Sequence, residues 1–429
     1  MADGIERAPA HRRALYGLKL TGTAVLVIGG LLVTTIPAAA ATQGAPRAVS
    51  VMPNGELGSR DSFQPVISGG GRSVAFESDA PNLVAGVDNS QRQVYIRDIG
   101  TGVTRLASAS SGNIPGNLGS RYASMSDDGR YVAFVSEATN LVANDTNAAP
   151  DVFVRDVTAG VTTRVSVSST GTQANAGASL VNIFMSADGR YVAFHSASTN
   201  LVSQGSFSSG QVYVRDRTNG TTKVGSANSS GVAANNDSEI SAAGALSRDG
   251  RYLVFSSIAS NLVSGDTNAH YDSFVRDMTT GAIRRFSMNA NGAQLTNHNT
   301  QAVISADGQV VSWVQDGVAL HVRTRSTGAV LARLPAGPNG PVLSANGKRI
   351  SYYAIAANGT NQSYVKDLPS GTPLQITAPY NGTAGVGGGY VGDLSSDGRT
   401  VTFFSDSQDI TAAGSGGAFQ VYTRSLSAP

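Results

Sequence analysis

One pattern of apolar and polar residues occurs seven times along the chain. Each copy has an apolar residue and a Ser, a short turn of the Asp-Gly-Arg type, and then a run such as Tyr-Val-Ala-Phe that is rich in β-forming residues. The copies begin at Ile67, Met125, Met185, Leu246, Ile304, Leu343 and Leu394. Gly tolerates positive φ and Asp bonds nearby backbone, so this turn motif predicts a hairpin. Seven copies predict an array of one supersecondary unit.

The repeat from Ser179 to Ala227 shows the unit most clearly. Its alternating segments predict four strands, of which the third is Gln211–Asp216. Four short antiparallel strands in each repeat, with a period of roughly 40–50 residues, are typical of a propeller blade, and the longer gaps here indicate blades with one inserted loop. We therefore predict an all-β, seven-bladed β-propeller of four-stranded antiparallel blades. Six blades is the alternative, if the degenerate fifth and sixth repeats merge.

The two ends of the chain predict how the ring closes. The last repeat ends after its third strand, Ala418–Arg424, and leaves no room for a fourth. The segment Arg47–Val51 is similar to Arg164–Val167, which we interpret as the fourth strand of the second repeat. We therefore expect the N-terminal strand to complete the seventh blade, which would leave no open sheet edge.

The first 41 residues have a different composition. Arg12, Arg13 and Lys19 precede the apolar segment Leu20–Ile36, and small residues follow it at Pro37–Ala41. This order is typical of a secretory signal peptide, so we predict export and a single propeller domain at residues 42–429. A retained N-terminal membrane anchor is the alternative. The pattern leaves the Sec and twin-arginine routes both open.

Composition narrows the possible partners. The chain has no Cys, and without residues 1–41 its basic and acidic residues are equal in number. A neutral surface gives no basic stripe for phosphates, so we expect no nucleic-acid partner. We also expect a monomer without membrane insertion once the signal peptide is cleaved.

Two long loops between second and third strands share the pattern Asp-x-Asn-x-x-x-Asp. It comprises Asp145, Asn147 and Asp151 in one repeat, and Asp266, Asn268 and Asp272 in another. Oxygen ligands at this spacing in a turning loop suit Ca²⁺, which predicts two calcium sites. The alternative is a network of Asx turns that only shapes each loop. These long loops vary between repeats and share one face, where we expect binding.

Other recurring residues favour structural roles. We interpret the Asn at positions 82, 140, 200 and 261 as closing a loop, and each Arg-Asp pair, such as Arg155-Asp156, as a turn-setting Asp beside an exposed Arg. His195 and His321 fall on predicted strands, whereas His270 and His298 fall in loops of the variable face. No catalytic motif is present, so we predict no enzymatic activity.

The Ser-x-Asp-Gly-Arg motif with its aliphatic-aromatic strand resembles the repeat of TolB-like propellers, a WD40-like group. The resemblance extends over residues 47–424 and implies the propeller fold. With the export signal, it leads us to expect a secreted, non-catalytic module that binds a protein or glycan at the cell envelope, with loops that calcium would stiffen. The alternative is an extracellular polysaccharide lyase or hydrolase with a site at the channel mouth, which requires His270 and His298 to meet.

Overall fold

The computed structural model describes residues 43–87, 91–178, 183–203, 209–241, 244–335, 337–379 and 387–429. The predicted signal peptide at residues 1–41 lies outside the described residues, as do residues 204–208 of one long loop. None of the described residues forms a helix long and apolar enough to cross a membrane.

The described residues form short β-strands throughout. In chain order these are β1 (Arg47–Ala48), β2 (Ser62–Ile67), β3 (Ser73–Ser78), β4 (Gln93–Asp98), β5 (Thr104–Leu106), β6 (Ser120–Met125), β7 (Tyr131–Ser136), β8 (Asp151–Asp156), β9 (Val161–Arg164), β10 (Phe184–Met185), β11 (Tyr191–Ser196), β12 (Gln211–Asp216), β13 (Thr221–Val224), β14 (Ser238–Glu239), β15 (Tyr252–Ser257), β16 (Asp272–Asp277), β17 (Ile283–Arg285), β18 (Asn299–Ile304), β19 (Val310–Gln315), β20 (Ala319–Thr324), β21 (Val330–Pro335), β22 (Asn339–Leu343), β23 (Arg349–Ile355), β24 (Asn361–Asp367), β25 (Leu374–Gln375), β26 (Gly389–Leu394), β27 (Thr400–Ser405) and β28 (Gln420–Ser425).

These strands form seven antiparallel sheets of four strands each, which confirms seven blades and removes the six-blade alternative. Six sheets follow the chain, from β2–β5 to β22–β25. The seventh has the order β1-β28-β27-β26, with Arg47 opposite Thr423. The N-terminal strand therefore completes the last blade, as the sequence predicts.

The core lies between neighbouring blades and contains one stacked ring pair per blade. Six of these pairs join the second and third strands with ring centroids 5.4 to 5.9 Å apart: Phe76–Tyr95, Phe134–Phe153, Phe194–Tyr213, Phe255–Phe274, Tyr352–Tyr364 and Phe403–Tyr422. In the fifth blade Trp313 stacks on His321 at 4.6 Å. Burial lowers the pKa of His321 to about 4, so this imidazole is neutral and serves as a core ring.

The turns between first and second strands, and between third and fourth strands, lie on one side of the ring, which we call the hairpin face. Most of the turn motifs there contact the neighbouring motif through a backbone hydrogen bond. The N–H of Gly69 donates to the carbonyl of Asp127 at 2.9 Å, and the N–H of Asp127 donates to that of Ala187 at 2.8 Å. Across the closing seam, the N–H of Ser396 donates to the carbonyl of Gly69 at 2.9 Å. The recurring motif therefore fastens blade to blade.

Three of the four arginines of the Arg-Asp pairs are buried and Arg215 is partly buried, so the expectation that they are exposed is wrong. Arg155 is 4% exposed and donates to the carbonyl of Ser110 in the preceding blade at 2.6 Å. The aspartates do set turns as predicted, since Asp156 accepts the N–H groups of Thr158 and Ala159. Sequence reasoning missed the burial because the acceptors are backbone carbonyls of another repeat.

Candidate functional site

The opposite side of the ring carries the loops between second and third strands and the connections between blades, and we call it the loop face. The recurring Asn closes these loops as predicted. Asn140, for example, accepts the N–H of Asn117 at 3.0 Å and donates to the carbonyl of Pro115 at 2.9 Å. The candidate chemistry on this face comes from residues that the repeats do not share.

The first predicted calcium loop brings its three residues together around an arginine. Asp145 and Asp151 face the guanidinium of Arg164 at 3.4 and 3.3 Å. The side-chain amide of Gln173 donates to both carboxylates at 2.9 Å, and that of Asn147 donates to Asp151 at 3.4 Å. Burial raises the pKa of Asp151. The three residues do lie together, as their spacing in the sequence predicts. The positive charge that faces the two carboxylates, however, is the guanidinium of Arg164.

The second loop repeats this arrangement. Arg285 lies 3.3 Å from Asp266 and 3.1 Å from Asp272, Gln294 donates to Asp266 at 3.2 Å, and Asn268 donates to Asp272 at 3.2 Å. Within the described parts of the chain, no three His, Asp or Glu side chains form a group suited to a metal ion. These contacts fit the Asx-network alternative, and in both loops an arginine faces the carboxylates. Calcium binding at either loop stays a prediction.

A chain of contacts links three histidines in one sector of the loop face, which we call the histidine sector (His195, Asp237, Tyr271, His298 and His270). His195 lies 3.5 Å from the carboxylate of Asp237, which also accepts the Tyr271 hydroxyl at 2.8 Å. The Tyr271 N–H donates to Nδ1 of His298 at 3.0 Å, and the rings of His298 and His270 are 4.7 Å apart. The nearby imidazole of His195 and the hydrogen bond from Tyr271 lower the pKa of Asp237, so the carboxylate is ionised.

Gly210 makes the contact between His195 and Asp237 possible. A Cβ at this position would lie 2.0 Å from Nε2 of His195 and 2.8 Å from the carboxylate of Asp237. Any larger residue would separate the pair. The sequence indicates His270 and His298 as candidates for this sector but places His195 on a strand as a packing residue. It gives no signal for Asp237 and Tyr271, which directly precede strands at positions where the repeats differ.

Five aromatic rings meet on another sector of the loop face, the aromatic sector (Phe63, Tyr353, Tyr390, Phe404 and Phe419). Tyr390 stacks on Phe404 at 5.1 Å and meets Tyr353 edge-on at 5.2 Å. Phe63 meets Phe404 at 5.9 Å and Phe419 at 5.6 Å. All five are partly exposed, whereas all of the core ring pairs except Tyr364 of the sixth blade are buried. The sector joins the first, sixth and seventh blades.

Charged groups border the aromatic sector. The Arg92 guanidinium lies 4.3 Å from the centre of the Phe63 ring, 2.7 Å from Asp79 and 3.6 Å from Glu77. Glu77 also accepts the Tyr122 N–H at 2.6 Å. Burial raises the pKa of Glu77 to about 7. Glu77, His195, Tyr353 and Phe404 all occupy the fifth position of their second strands, so an alignment of the repeats by strand position would have indicated this column.

Comparison with known proteins gives the fold. No protein-family model matches the chain, and no curated protein matches its sequence. Among solved structures, the chain is similar to an oligogalacturonate lyase in complex with manganese, at 13% identity and a TM-score of 0.53 over 86% of this chain and 90% of that one. It is also similar to the β-propeller domain of the Trilobed protease from Pyrococcus furiosus, at 12% identity and a TM-score of 0.51 over 86% and 94%. The fold is a seven-bladed β-propeller.

A third similar structure is TolB from Acinetobacter baumannii, at 15% identity and a TM-score of 0.41. The match covers 74% of this chain and 65% of TolB, which is less than two thirds of that protein. At these identities the likeness extends to the propeller fold and to nothing finer.

Proposed function

We propose that this protein is an extracytoplasmic binding module that holds a protein or glycan at its loop face without catalysing a reaction. The aromatic sector carries this proposal. Aromatic and Arg side chains are enriched at the centre of binding interfaces and supply much of their energy. Here five partly exposed rings lie together beside Arg92, whereas the largest aromatic side chains of the core are buried. Export rests on the N-terminal sequence pattern.

The sector has the mixed character that a ligand site needs. The ring faces supply apolar area, and fixed polar groups surround them. Asn361 donates to the Tyr390 hydroxyl at 3.0 Å, and Asp61 accepts the Phe419 N–H at 2.9 Å. Sites of this kind bind through the apolar area and take their specificity from a few fixed polar groups.

The test compares the unchanged protein with a Tyr353→Ala/Phe419→Ala variant. The probes are soluble xylan, β-glucan and polygalacturonate in native affinity electrophoresis, and biotinylated cell-envelope proteins in a pull-down. We expect one probe to be retained by the unchanged protein and lost by the variant, with circular dichroism confirming the fold. Val232→Ala, an exposed apolar residue of another blade connection, is the matched control and keeps binding. Equal binding by all three proteins, or retention of no probe, would contradict the proposal.

A second candidate is an extracellular polysaccharide lyase or hydrolase, which the histidine sector favours. An ionised carboxylate held by an imidazole and a phenol is an arrangement suited to proton transfer. The test incubates the same three polysaccharides with the unchanged protein, Asp237→Asn and Tyr271→Phe, and measures released reducing ends and unsaturated products. If this candidate is correct, the unchanged protein releases products and both substitutions abolish this activity. Absence of product with the unchanged protein, or activity that survives both substitutions, rejects it.

A further inference from the structure

A cavity of about 240 Å³ that is open to solvent lies between the fourth and fifth blades near the hairpin face. Its lining includes Tyr252 and Asp277 from the fourth blade, Arg284 from the adjoining fourth strand, and Arg325 and Ser326 from the fifth blade. This is many times the volume of roughly 10–15 Å³ that a single water needs. The cavity therefore has room for a charged group together with the part of a ligand that carries it.

The charges that face this cavity are predominantly positive. The Arg325 guanidinium lies 3.8 Å from the centre of the Tyr252 ring, and Arg251 lies 5.0 Å from the same ring. Arg284 donates to the carbonyl oxygens of Arg325 and Ser326, which fixes it beside Arg325. Partial burial and the charge of Arg325 lower the pKa of Arg284.

The one carboxylate in the lining is already paired. Asp277 accepts two bonds from Arg251, at 3.0 and 2.8 Å, and the N–H groups of Thr279 and Thr280 at 2.9 and 3.1 Å. No carboxylate among the described residues forms an ion pair with Arg284 or Arg325. Arg284 and Arg325 thus both line the cavity without an acidic partner among the described residues, and Nε of Arg325 donates to the carbonyl of Gly308.

Equivalent interfaces between other blades lack this combination. Between the second and third blades, Arg217 lies 4.5 Å from the Tyr131 ring, but Thr163 occupies the position that corresponds to Arg284. Between the third and fourth blades, Lys223 occupies the strand position of Arg284 and Met278 occupies that of Arg325. The paired arginines are therefore specific to one interface and are not needed to build a blade.

We propose that this cavity binds the oxyanion group of an acidic ligand, a phosphate, sulfate or carboxylate, between Arg284 and Arg325, with the Ser326 hydroxyl as a further donor. Arg is suited to such groups because its planar fork donates two parallel bonds. The site lies on the face opposite the aromatic and histidine sectors, so it is independent of the proposed function.

Calorimetry with sodium phosphate, sulfate and acetate, against chloride at equal ionic strength, tests the site. We expect saturable binding of at least one oxyanion by the unchanged protein. Arg284→Thr introduces the residue type of Thr163, which occupies this position in the second blade. Arg325→Met introduces that of Met278, which occupies the corresponding position in the fourth blade. Each removes a charge-assisted hydrogen bond, so we expect affinity to fall about tenfold or more. Thr163→Arg places a second arginine beside Arg217, and we expect it to create a second site.

Two further arms identify the source of the oxyanion. The first uses gels that contain polygalacturonate, dextran sulfate or neutral dextran. If only the acidic polymers slow the migration of the unchanged protein, and Arg284→Thr abolishes this retardation, the ligand is an acidic polymer. Binding of free phosphate or sulfate without retardation instead indicates a small solute. Unchanged affinity in both Arg284→Thr and Arg325→Met, with melting temperatures that confirm folded variants, overturns the proposal. So does the absence of oxyanion binding by the unchanged protein.

Discussion

The hairpin face and the loop face are built from the same strands, yet their side-chain contacts follow different rules. On the hairpin face one ion pair recurs with almost constant geometry: Arg130–Asp156 at 2.7 Å, Arg190–Asp216 at 2.7 Å and Arg251–Asp277 at 2.8 Å. On the loop face, a single strand position is Glu77 in one blade, His195 in another and Phe404 in a third. Contacts that recur hold the ring together, and candidate chemistry lies where the blades differ.

The same rule identifies exceptions on the hairpin face. The residue after the Ser of each turn motif is Gly69, Ala187 or another small residue in most copies, but it is Asp127 in the second and Arg248 in the fourth. Their side chains meet across the third blade, and Ser396 donates to Asp127 at 3.1 Å. Arg325 is a similar departure, because most of the other blades have an apolar residue at its position, such as Val157 or Met278. On both faces, therefore, the positions at which one repeat differs from the others indicate residues with a role outside the repeated structure.

The largest effect is expected from a recurring contact between blades. Arg155→Ala removes a buried guanidinium that donates to the carbonyl oxygens of Ala109 and Ser110 and to Thr162. Buried carbonyls would lose a charged donor, so we expect the free energy of unfolding to fall by roughly 4 kcal/mol. Denaturant unfolding measures it. The exposed Arg105→Ala is the control, with an expected change within about 0.5 kcal/mol. Equal changes in both variants would contradict the prediction.

The second largest effect on the free energy of unfolding is expected on the loop face, where it depends on pH. Burial raises the pKa of Glu77 from 4.5 to about 7, and its side chain is 2% exposed. Between these pH values the folded protein keeps a proton that the unfolded chain releases, so stability is highest at the acidic end and falls as the pH rises. The loss attributable to Glu77 is about 3 kcal/mol across this window.

Glu77→Gln removes this titration and keeps an oxygen that accepts the Tyr122 N–H. Unfolding free energies of the two proteins, measured from pH 4 to pH 8 (roughly the span over which this carboxyl titrates), should converge at low pH and separate as the pH rises. Asp393, whose pKa burial raises to about 6, contributes in the same direction to both proteins and cancels in the difference. A difference that does not vary with pH would show that Glu77 ionises normally.

These two variants also show how far the sequence can be interpreted. Local signals such as Asp188-Gly189, and the similarity of Arg47–Val51 to another fourth strand, were sufficient to predict hairpins, blade number and ring closure. The partners of Arg155 and Glu77 lie in a neighbouring blade, 45 residues away along the chain in each case. Local patterns carry no information on such contacts. For the same reason the spacing of Asp145 and Asp151 predicts a cluster but not the arginine between the carboxylates.

A smaller effect is expected where a hairpin-face contact occurs once. The side chains of Arg248 and Asp127 are 53% and 30% exposed, so water screens their attraction. We expect Arg248→Ala to lower the free energy of unfolding by less than about 1 kcal/mol, and high salt to reduce the difference. A double-mutant cycle with Asp127→Ala measures the coupling. A coupling as large as the effect of Arg155→Ala would show that unique contacts hold the ring as firmly as recurring ones.

The smallest effect is expected for calcium on the melting temperature, through the two loops that contain Asp145 and Asp266. Any ion that binds only the folded state raises the melting temperature. In both loops, however, the guanidinium of Arg164 or Arg285 already faces the carboxylates. Calcium would have to displace an arginine from a nearly buried position, so we expect equal melting temperatures in EDTA and in excess calcium. Arg164→Gln leaves Asp145 and Asp151 without their cation, and this variant alone should be stabilised by calcium. A rise in the unchanged protein that Asp151→Asn and Asp272→Asn abolish would instead establish the calcium sites predicted from the sequence.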